Sequence, residues 1–285
     1  MGTFFHRHRG ATPYLLLAPG VLWLAIFFVI PLAFLGYESL QSGLFPNFEF
    51  TWQFSNFSDG IHDYHTQLLR SFVYAGIATV ACLVLAYPLV SWIAFRAGPW
   101  RNLFLLFIVA PFFVTYLVRT LAWLNILADE GPVVGILRGL HILGPDGRLL
   151  ATTFAVVSGI TYNFFPFMAL PIYVSLEQMD ARLLEAAKDL YASPTQAFIR
   201  VTLPLSAPGI VAGTLLTFIP AAGDFINAAL LGTPNQAMIG NVIQSKFLES
   251  LDYPSAAALS FLLMGLILVA LLVYAKIVGS ERLTG

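Results

Sequence analysis

Apolar residues in this chain gather into six runs, approximately Pro13–Leu35, Leu69–Phe95, Leu103–Leu127, Ala151–Leu176, Leu203–Ala222 and Ser255–Val278. Each is long enough, at about 20 residues or more, to carry an α-helix across the hydrocarbon core of a bilayer. The pattern predicts an all-α polytopic membrane protein with six transmembrane helices. The first run follows the basic string at 6–9, "HRHR". It exceeds the roughly 7–15 apolar residues of a secretory leader, so it is expected to be a retained helix.

The polar positions between the runs alternate in sign. Arg7 and Arg9, Arg96 and Arg101, Arg182, Lys188 and Arg200, and Lys276 and Arg282 fall at one set of ends. Glu38, Glu49, Asp59, Asp63, Asp129, Glu130, Asp146, Glu249 and Asp252 fall at the other. Basic ends stay in the cytoplasm, so both termini are expected there. The expected layout is a cytoplasmic flank over 1–12, a six-helix membrane domain over 13–278 and a tail over 279–285. The long outer connection Gly36–Leu68 carries Phe45, Phe48, Phe50, Trp52, Phe54, Phe57 and Tyr64, which suits the headgroup region or an external partner.

A second periodicity lies in the fourth connection, 177–204. Leu183, Ala186, Ala187 and Leu190 recur at helical spacing, with Glu185, Lys188 and Asp189 on the other side. This short helix stops near Tyr191 and Ala192. Ser193 as N-cap, Pro194 at the first helical position and Gln196 three residues after the cap then open a second one. Phe198 and Val201 supply its apolar side, and Leu203 and Pro204 are expected to end it. Spacing alone favours an amphipathic loop lying on the membrane.

Composition narrows the function classes. The 285 residues are 58% hydrophobic and 10% charged with net charge −1, and mean hydropathy is +0.80. Soluble domains carry about a quarter charged residues, and nucleic-acid binders a clustered basic face; neither class fits. The single cysteine, Cys82, cannot form an internal disulfide and is expected to pack as a small hydrophobe. No ligand set suggests a metal. His62 and His65 have suitable spacing but no third partner nearby. A P-loop needs Gly-Lys followed by Ser or Thr, and no Gly precedes Lys188, Lys246 or Lys276. The chain is therefore not expected to hydrolyse ATP by that route or to bind a cofactor.

The string Glu185-Ala186-Ala187, a turn position, then Ala192, Phe198, Val201, Leu203 and Pro204 resembles the EAA loop of the permease subunits of bacterial ABC importers. That resemblance implies the type I, MetI-like permease fold in a bacterial cytoplasmic membrane. It also implies that Glu185, Ala186, Ala187, Asp189, Leu190, Tyr191, Ala192, Ser193 and Pro194 seat against a cytoplasmic ATPase subunit, which binds and hydrolyses ATP with Mg. A second permease subunit and an extracytoplasmic binding protein are the further partners implied. Tyr191 departs from the family's usual Gly at the turn. It must either take a left-handed conformation, at a cost on the order of 1 kcal/mol, or change the turn.

Charged groups inside spans cost about 2.5–3.5 kcal/mol at the bilayer centre and are candidate functional groups. Arg119 lies about 20–25 Å along an unbroken third helix and is expected to snorkel to the outer surface or to pair with a carboxylate. Asp224, at the outer end of the fifth helix, could pair with it or face a solute. Gly209 and Gly213 have GxxxG spacing, open between packing inside one chain and a seam between subunits. The stretches 117–134, 223–247 and 253–264 are similar to the spermidine/putrescine branch of these permeases. This similarity implies that a polyamine passes, with Asp224 attracting it and Trp123, Tyr162 and Phe165 offering ring faces. Another small solute, or an ion-coupled transporter needing no ATPase, are the alternatives.

Overall fold

The computed structural model describes residues 12–144 and 146–279; the flank over 1–11 and the tail over 280–285 lie outside the described residues. Six helical stretches have the length and apolarity to cross a membrane: Leu16–Ser39, Ser55–Arg96, Tyr116–Gly139, Thr153–Glu177, Pro194–Ala222 and Tyr253–Lys276. The chain divides into two compact units.

The first unit takes in the described residues up to Asp63, together with Ser245–Leu262. Its leading helix, α1, runs Thr12–Leu24, continues through a π-helical turn Ala25–Val29 and ends as Ile30–Ser39. Pro31 explains the wide turn, because it has no N–H for the usual i→i−4 bond. No side chain from Leu16 to Glu38 is buried. Strands β1 (Gln41–Leu44) and β2 (Asn47–Phe50) then form an antiparallel hairpin. The aromatic connection forms an ordered row. Tyr37 stacks on Phe50 at 4.8 Å, Phe50 meets Trp52 at 4.9 Å, and Trp52 meets Phe54 at 6.2 Å. Helix α2 begins at Ser55, well before the apolar run, and extends to Arg96 with a kink at Tyr64 (φ −118°, ψ 17°).

The second unit, Tyr64–Gln244 with the chain from Leu263 onward, holds the core. After α2 come α3 (Arg101–Val109) and a 3-10 turn Ala110–Phe113, then α4 (Tyr116–Leu127), α5 (Pro132–Gly139) and α6 (Thr153–Glu177). Helix α7 is Ala181–Asp189, and α8 runs Pro194–Ala197, Phe198–Thr202 and Leu203–Ala222 without a gap. Helices α9 (Ile226–Leu231), α10 (Ile239–Leu248) and α11 (Tyr253–Gly279) complete the chain. Helix α6 is the central rod: 67% of its span is buried, against 39% or less in the others. One side of α2 is nearly all small residues, Ala75, Ala78, Cys82 and Ala86, all fully buried, which lets the helices approach closely. Lower down, Val90 and Ile93 of α2 meet Met168, Ile172 and Leu176 of α6.

Two expectations about the rods are corrected. The third span is not one helix over 103–127. It breaks at Val114 (φ −102°, ψ 137°) and Thr115 (φ −60°, ψ 147°). Pro111 removes a helical donor and the β-branched pair Val114–Thr115 favours extended backbone, so the chain stops and restarts. The second short helix of the 177–204 segment likewise does not end at Leu203–Pro204. The π-helical turn Phe198–Thr202, in which Leu203 N–H donates to the Phe198 carbonyl, accommodates Pro204, and the helix runs on into the fifth span. The glycine pair at 209 and 213 packs inside the chain. A Cβ on Gly209 would lie 2.9 Å from Ile172 Cα, and one on Gly213 would lie 3.0 Å from the Met168 carbonyl.

Candidate translocation and coupling sites

The break in the third span places a new helix start in the middle of an apolar run, and a buried polar cluster surrounds it. Asp224 follows the end of α8 and is 6% exposed. Its Oδ1 accepts the Asn227 backbone N–H at 2.9 Å, which fixes the first turn of α9. Its Oδ2 accepts from the Tyr116 hydroxyl and from Asn227 Nδ2, the latter at 2.8 Å. Asn227 Nδ2 also donates to the Tyr116 hydroxyl at 2.6 Å. Asn163 of α6 donates through Nδ2 to Thr120 Oγ1 and Asn227 Oδ1, each at 3.2 Å. Gly159 makes room for this: a Cβ there would lie 2.5 Å from Asn227 Oδ1. Tyr116, Thr120, Asn163 and Asn227 tie three separate segments together around one carboxylate.

Arg119 is one turn into α4 and is only 8% exposed. It neither snorkels nor pairs with Asp224, and no ion pair joins the two. The break invalidates the depth counted along a straight rod. The guanidinium lies 5.0 Å from the Phe112 ring centre and 5.6 Å from that of Tyr116. Its Nε and Nη1 are buried without a hydrogen-bond partner. Tyr116 thus stands between the charges, its ring beneath the cation and its hydroxyl on the anion.

The expected aromatic residues lie elsewhere. Trp123 and Tyr162 meet edge to face at 5.5 Å. With Phe165 they line a cavity of about 750 Å³ walled otherwise by Ile77, Ala81 and Leu85 of α2 and by the first half of α6. No lining residue is charged. Phe165 is two residues from Asn163, about 200° round the helix, so the two point to opposite sides of α6. The acid and the three rings expected to act with it therefore do not share one cavity. The ring beside Asp224 is that of Tyr116, which packs against Phe164 at 6.0 Å. Scanning the apolar runs for charges finds Arg119 but misses the uncharged polar partners. Asn163, in the middle of such a run, was the available signal.

The 177–204 segment forms two helices as its punctuation requires. Asp180 caps α7, accepting from Arg182 N–H at 2.9 Å. At the other end Ala192 N–H donates to the Ala187 carbonyl at 3.0 Å and Tyr191 N–H to that of Lys188 at 2.9 Å. This is a Schellman closure, whose turn residue must be left-handed. That residue is Tyr191, at φ +56°. Ser193 and Gln196 make the reciprocal capping box, at 3.3 Å and 3.0 Å. On α7, Ala187 is buried and Leu184 partly so, while Leu183 and Ala186 are exposed. Glu185, Asp189, Ser193 and Pro194 are also exposed and Ala192 is half-buried. Leu190 and Tyr191 project at the tip, 81% and 97% exposed.

Because the Tyr191 side chain touches so little, Tyr191→Gly is expected to relieve backbone strain without losing packing. The gain should be about 1 kcal/mol, read as a raised thermal midpoint of the detergent-solubilised protein. An unchanged midpoint would mean the turn bears no strain.

Six apolar spans, a buried polar cluster beside a broken helix and an exposed two-helix loop together define a polytopic membrane transport component. The chain belongs to the family of binding-protein-dependent transport system inner membrane components, which it matches over residues 11–279. It is 37% identical to the spermidine/putrescine transport system permease protein PotB of Haemophilus influenzae, covering 88% of each chain. To the PotB of Escherichia coli K12 it is 41% identical over 74% of this chain and 77% of that one. To the inner membrane ABC transporter permease protein YdcU of the same organism it is 31% identical over 97% and 93%. Among solved structures, a bacterial ABC transporter involved in import of the acidic polysaccharide alginate contains a chain of the same fold, with TM-score 0.75 at 16% identity and 98% coverage of both. A chain of the MetNI methionine ABC transporter matches at TM-score 0.56 and 15% identity, over 75% of this chain and 94% of that one. The protein is a multi-pass inner-membrane permease subunit of an ABC importer.

Proposed function

We propose that this permease carries polyamines of the spermidine/putrescine class inward. The observation that carries the reading is the 37–41% identity to spermidine/putrescine permeases over 74–88% of the chain. In this reading an extracytoplasmic binding protein delivers the polyamine, a second permease subunit completes the path, and a separate ATPase supplies the energy. Both termini and the 177–204 loop face the cytoplasm, in keeping with the basic residues at those ends.

The loop is proposed as the coupling element. Its exposed, unpartnered Leu190 and Tyr191 form an apolar tip of the kind that marks a protein contact. Helix α8 runs unbroken from Pro194 to Ala222, so a displacement of the loop is carried directly into the fifth span and on to Asp224. Asp224 and the rings of Tyr116 and Phe164 are proposed to lie along the path of the cation, with Arg119 behind them. The cavity at Trp123, Tyr162 and Phe165 is a separate apolar stretch of that path.

The test is reconstitution. Proteoliposomes holding this chain with its ATPase, sister permease and binding protein are expected to take up labelled spermidine or putrescine only with ATP. Glu185→Lys and Ala186→Trp are expected to reduce uptake several-fold while membrane insertion and ATP hydrolysis persist. Polyamine uptake by this chain alone would support the ion-coupled alternative instead, and undiminished uptake in both variants would remove the loop from the mechanism.

A further inference from the structure

A groove of about 640 Å³ runs between the end of α2 and the α7–α8 loop. Its floor is aromatic: Tyr87 is buried at the deep end, while Trp92, Phe95 and Phe198 are about two-fifths exposed along it. Its rim is basic. Arg96, on the last turn of α2, and Lys188 of α7 both line it. Among the described residues neither side chain makes an ion pair or hydrogen bond. Two free cations above an apolar floor in one groove are the complement of an anionic amphiphile.

We propose that this groove binds the phosphate headgroup of an anionic phospholipid of the cytoplasmic leaflet. From Tyr87 to Arg96 the helix rises about 13 Å, close to one leaflet's half of a hydrocarbon core about 30 Å thick. A phosphate between Arg96 and Lys188 therefore leaves the glycerol beside Trp92 and the upper acyl chains deeper, against Tyr87. Basic pockets between helices on this side are a known kind of anionic-lipid site. A soluble subunit fits less well, because the deep half of the groove belongs to the apolar span. The groove also touches both ends of the π-helical turn, Phe198 and Thr202. A lipid seated there braces the point at which the loop joins the fifth span, so transport should be more efficient in anionic membranes. The assignment to the cytoplasmic leaflet rests on the proposed orientation of the 177–204 loop.

The test uses the purified importer complex, exposed to vesicles of phosphatidylethanolamine mixed with phosphatidylglycerol and then examined by native mass spectrometry. Phosphatidylglycerol is expected to be retained in preference to phosphatidylethanolamine. Retention should fall several-fold in Arg96→Gln/Lys188→Gln and survive in Arg96→Lys/Lys188→Arg. A photoreactive phosphatidylglycerol added to the unaltered complex should crosslink within residues 87–96, which keeps the test independent of whether the variants fold. Equal retention in the double Gln variant, crosslinks confined to other segments, or displacement of the lipid by inorganic phosphate would each overturn the proposal, the last by making it a soluble-anion site. So would crosslinks from Arg96 or Lys188 to the ATPase with lipid retention unchanged. Because lipid retention is read without transport, loss of polyamine uptake would count against the importer reading alone. Labelling of Lys188 from the external face would correct the leaflet and leave the binding result standing.

Discussion

Gly209→Leu is expected to remove most folded protein from the membrane. A Cβ at this position already meets Ser175 Oγ at 2.5 Å and Ile172 Cα at 2.9 Å. The second of these is backbone of the central rod and cannot rotate away. Overpacking a tight site costs about 1–3 kcal/mol and occasionally more, and the whole isobutyl group must be accommodated here, so the upper end applies. Natural stabilities of about 5–15 kcal/mol leave little margin. The measurement is fluorescence-detected size exclusion of a tagged protein with its thermal midpoint, and the expected outcome is a small aggregated fraction melting well below the parent. Gly76→Ala is the control, since a Cβ there meets nothing within 4 Å. Its midpoint should hold or rise slightly, as Ala is the better helix former by up to about 1 kcal/mol. A Gly209→Leu protein as stable as the parent would mean that α6 and α8 do not pack as closely as described.

The same pair of helices illustrates which parts of the fold the sequence discloses. Runs of some 20 apolar residues identify membrane spans, because a bilayer demands that length whatever the neighbours are. Capping is also legible, as Ser193, Pro194 and Gln196 specify a helix start through purely local bonds. Breaks inside an apolar run are harder. Hydropathy does not change at Val114–Thr115, and only Pro111 and two β-branched residues mark the interruption. Helix outside an apolar run is equally quiet, which is why the polar stretch 55–68 was not counted with α2. GxxxG spacing cannot say which helix it faces, and here it faces Met168 and Ile172 of the same chain.

Tertiary contacts account for the remainder. Asp224 stands out in sequence as an acid at the end of a span. That its carboxylate is held by Tyr116 and Asn227 depends on how α4 restarts and on the room left at Gly159. Spacing groups Leu183, Ala186, Ala187 and Leu190 on one side of α7, yet that helix is anchored through Leu184 and Ala187 and leaves Leu183, Ala186 and Leu190 exposed. Periodicity identifies a face but not the direction in which the neighbours lie. Tyr191 shows the converse: the family's pattern flags it, and the Schellman bonds explain why a residue with a side chain must still go left-handed there.

Asp224→Ala is expected to abolish transport and to lower stability, and the two effects can be told apart. Truncation leaves the Tyr116 hydroxyl and Asn227 Nδ2 without the acceptor they share, and it frees the Asn227 backbone N–H at the start of α9. Each orphaned buried group costs about 1–3 kcal/mol, although comparable hydrogen bonds inside membranes average nearer 0.6 kcal/mol. Tyr116 and Asn227 still bond each other at 2.6 Å, which places the loss of stability toward the lower figure. The larger consequence is electrostatic. With the carboxylate gone, Arg119 is the remaining charge of the pair, held on two ring faces with Nε and Nη1 unpaired. A positive centre with no counter-charge repels a polyamine, so uptake should fall tenfold or more, about 1.4 kcal/mol per factor of ten. Asp224→Asn separates the roles: it preserves shape and an acceptor oxygen but not the charge. Its thermal midpoint should fall less than that of Asp224→Ala, because one of the two acceptor oxygens is kept, while uptake stays as low as in Asp224→Ala. The double variant Asp224→Asn/Arg119→Gln should recover part of the uptake, because the uncompensated cation is gone. Uptake by Asp224→Asn equal to that of the parent would show that the carboxylate serves the fold alone and would remove it from the path of the solute.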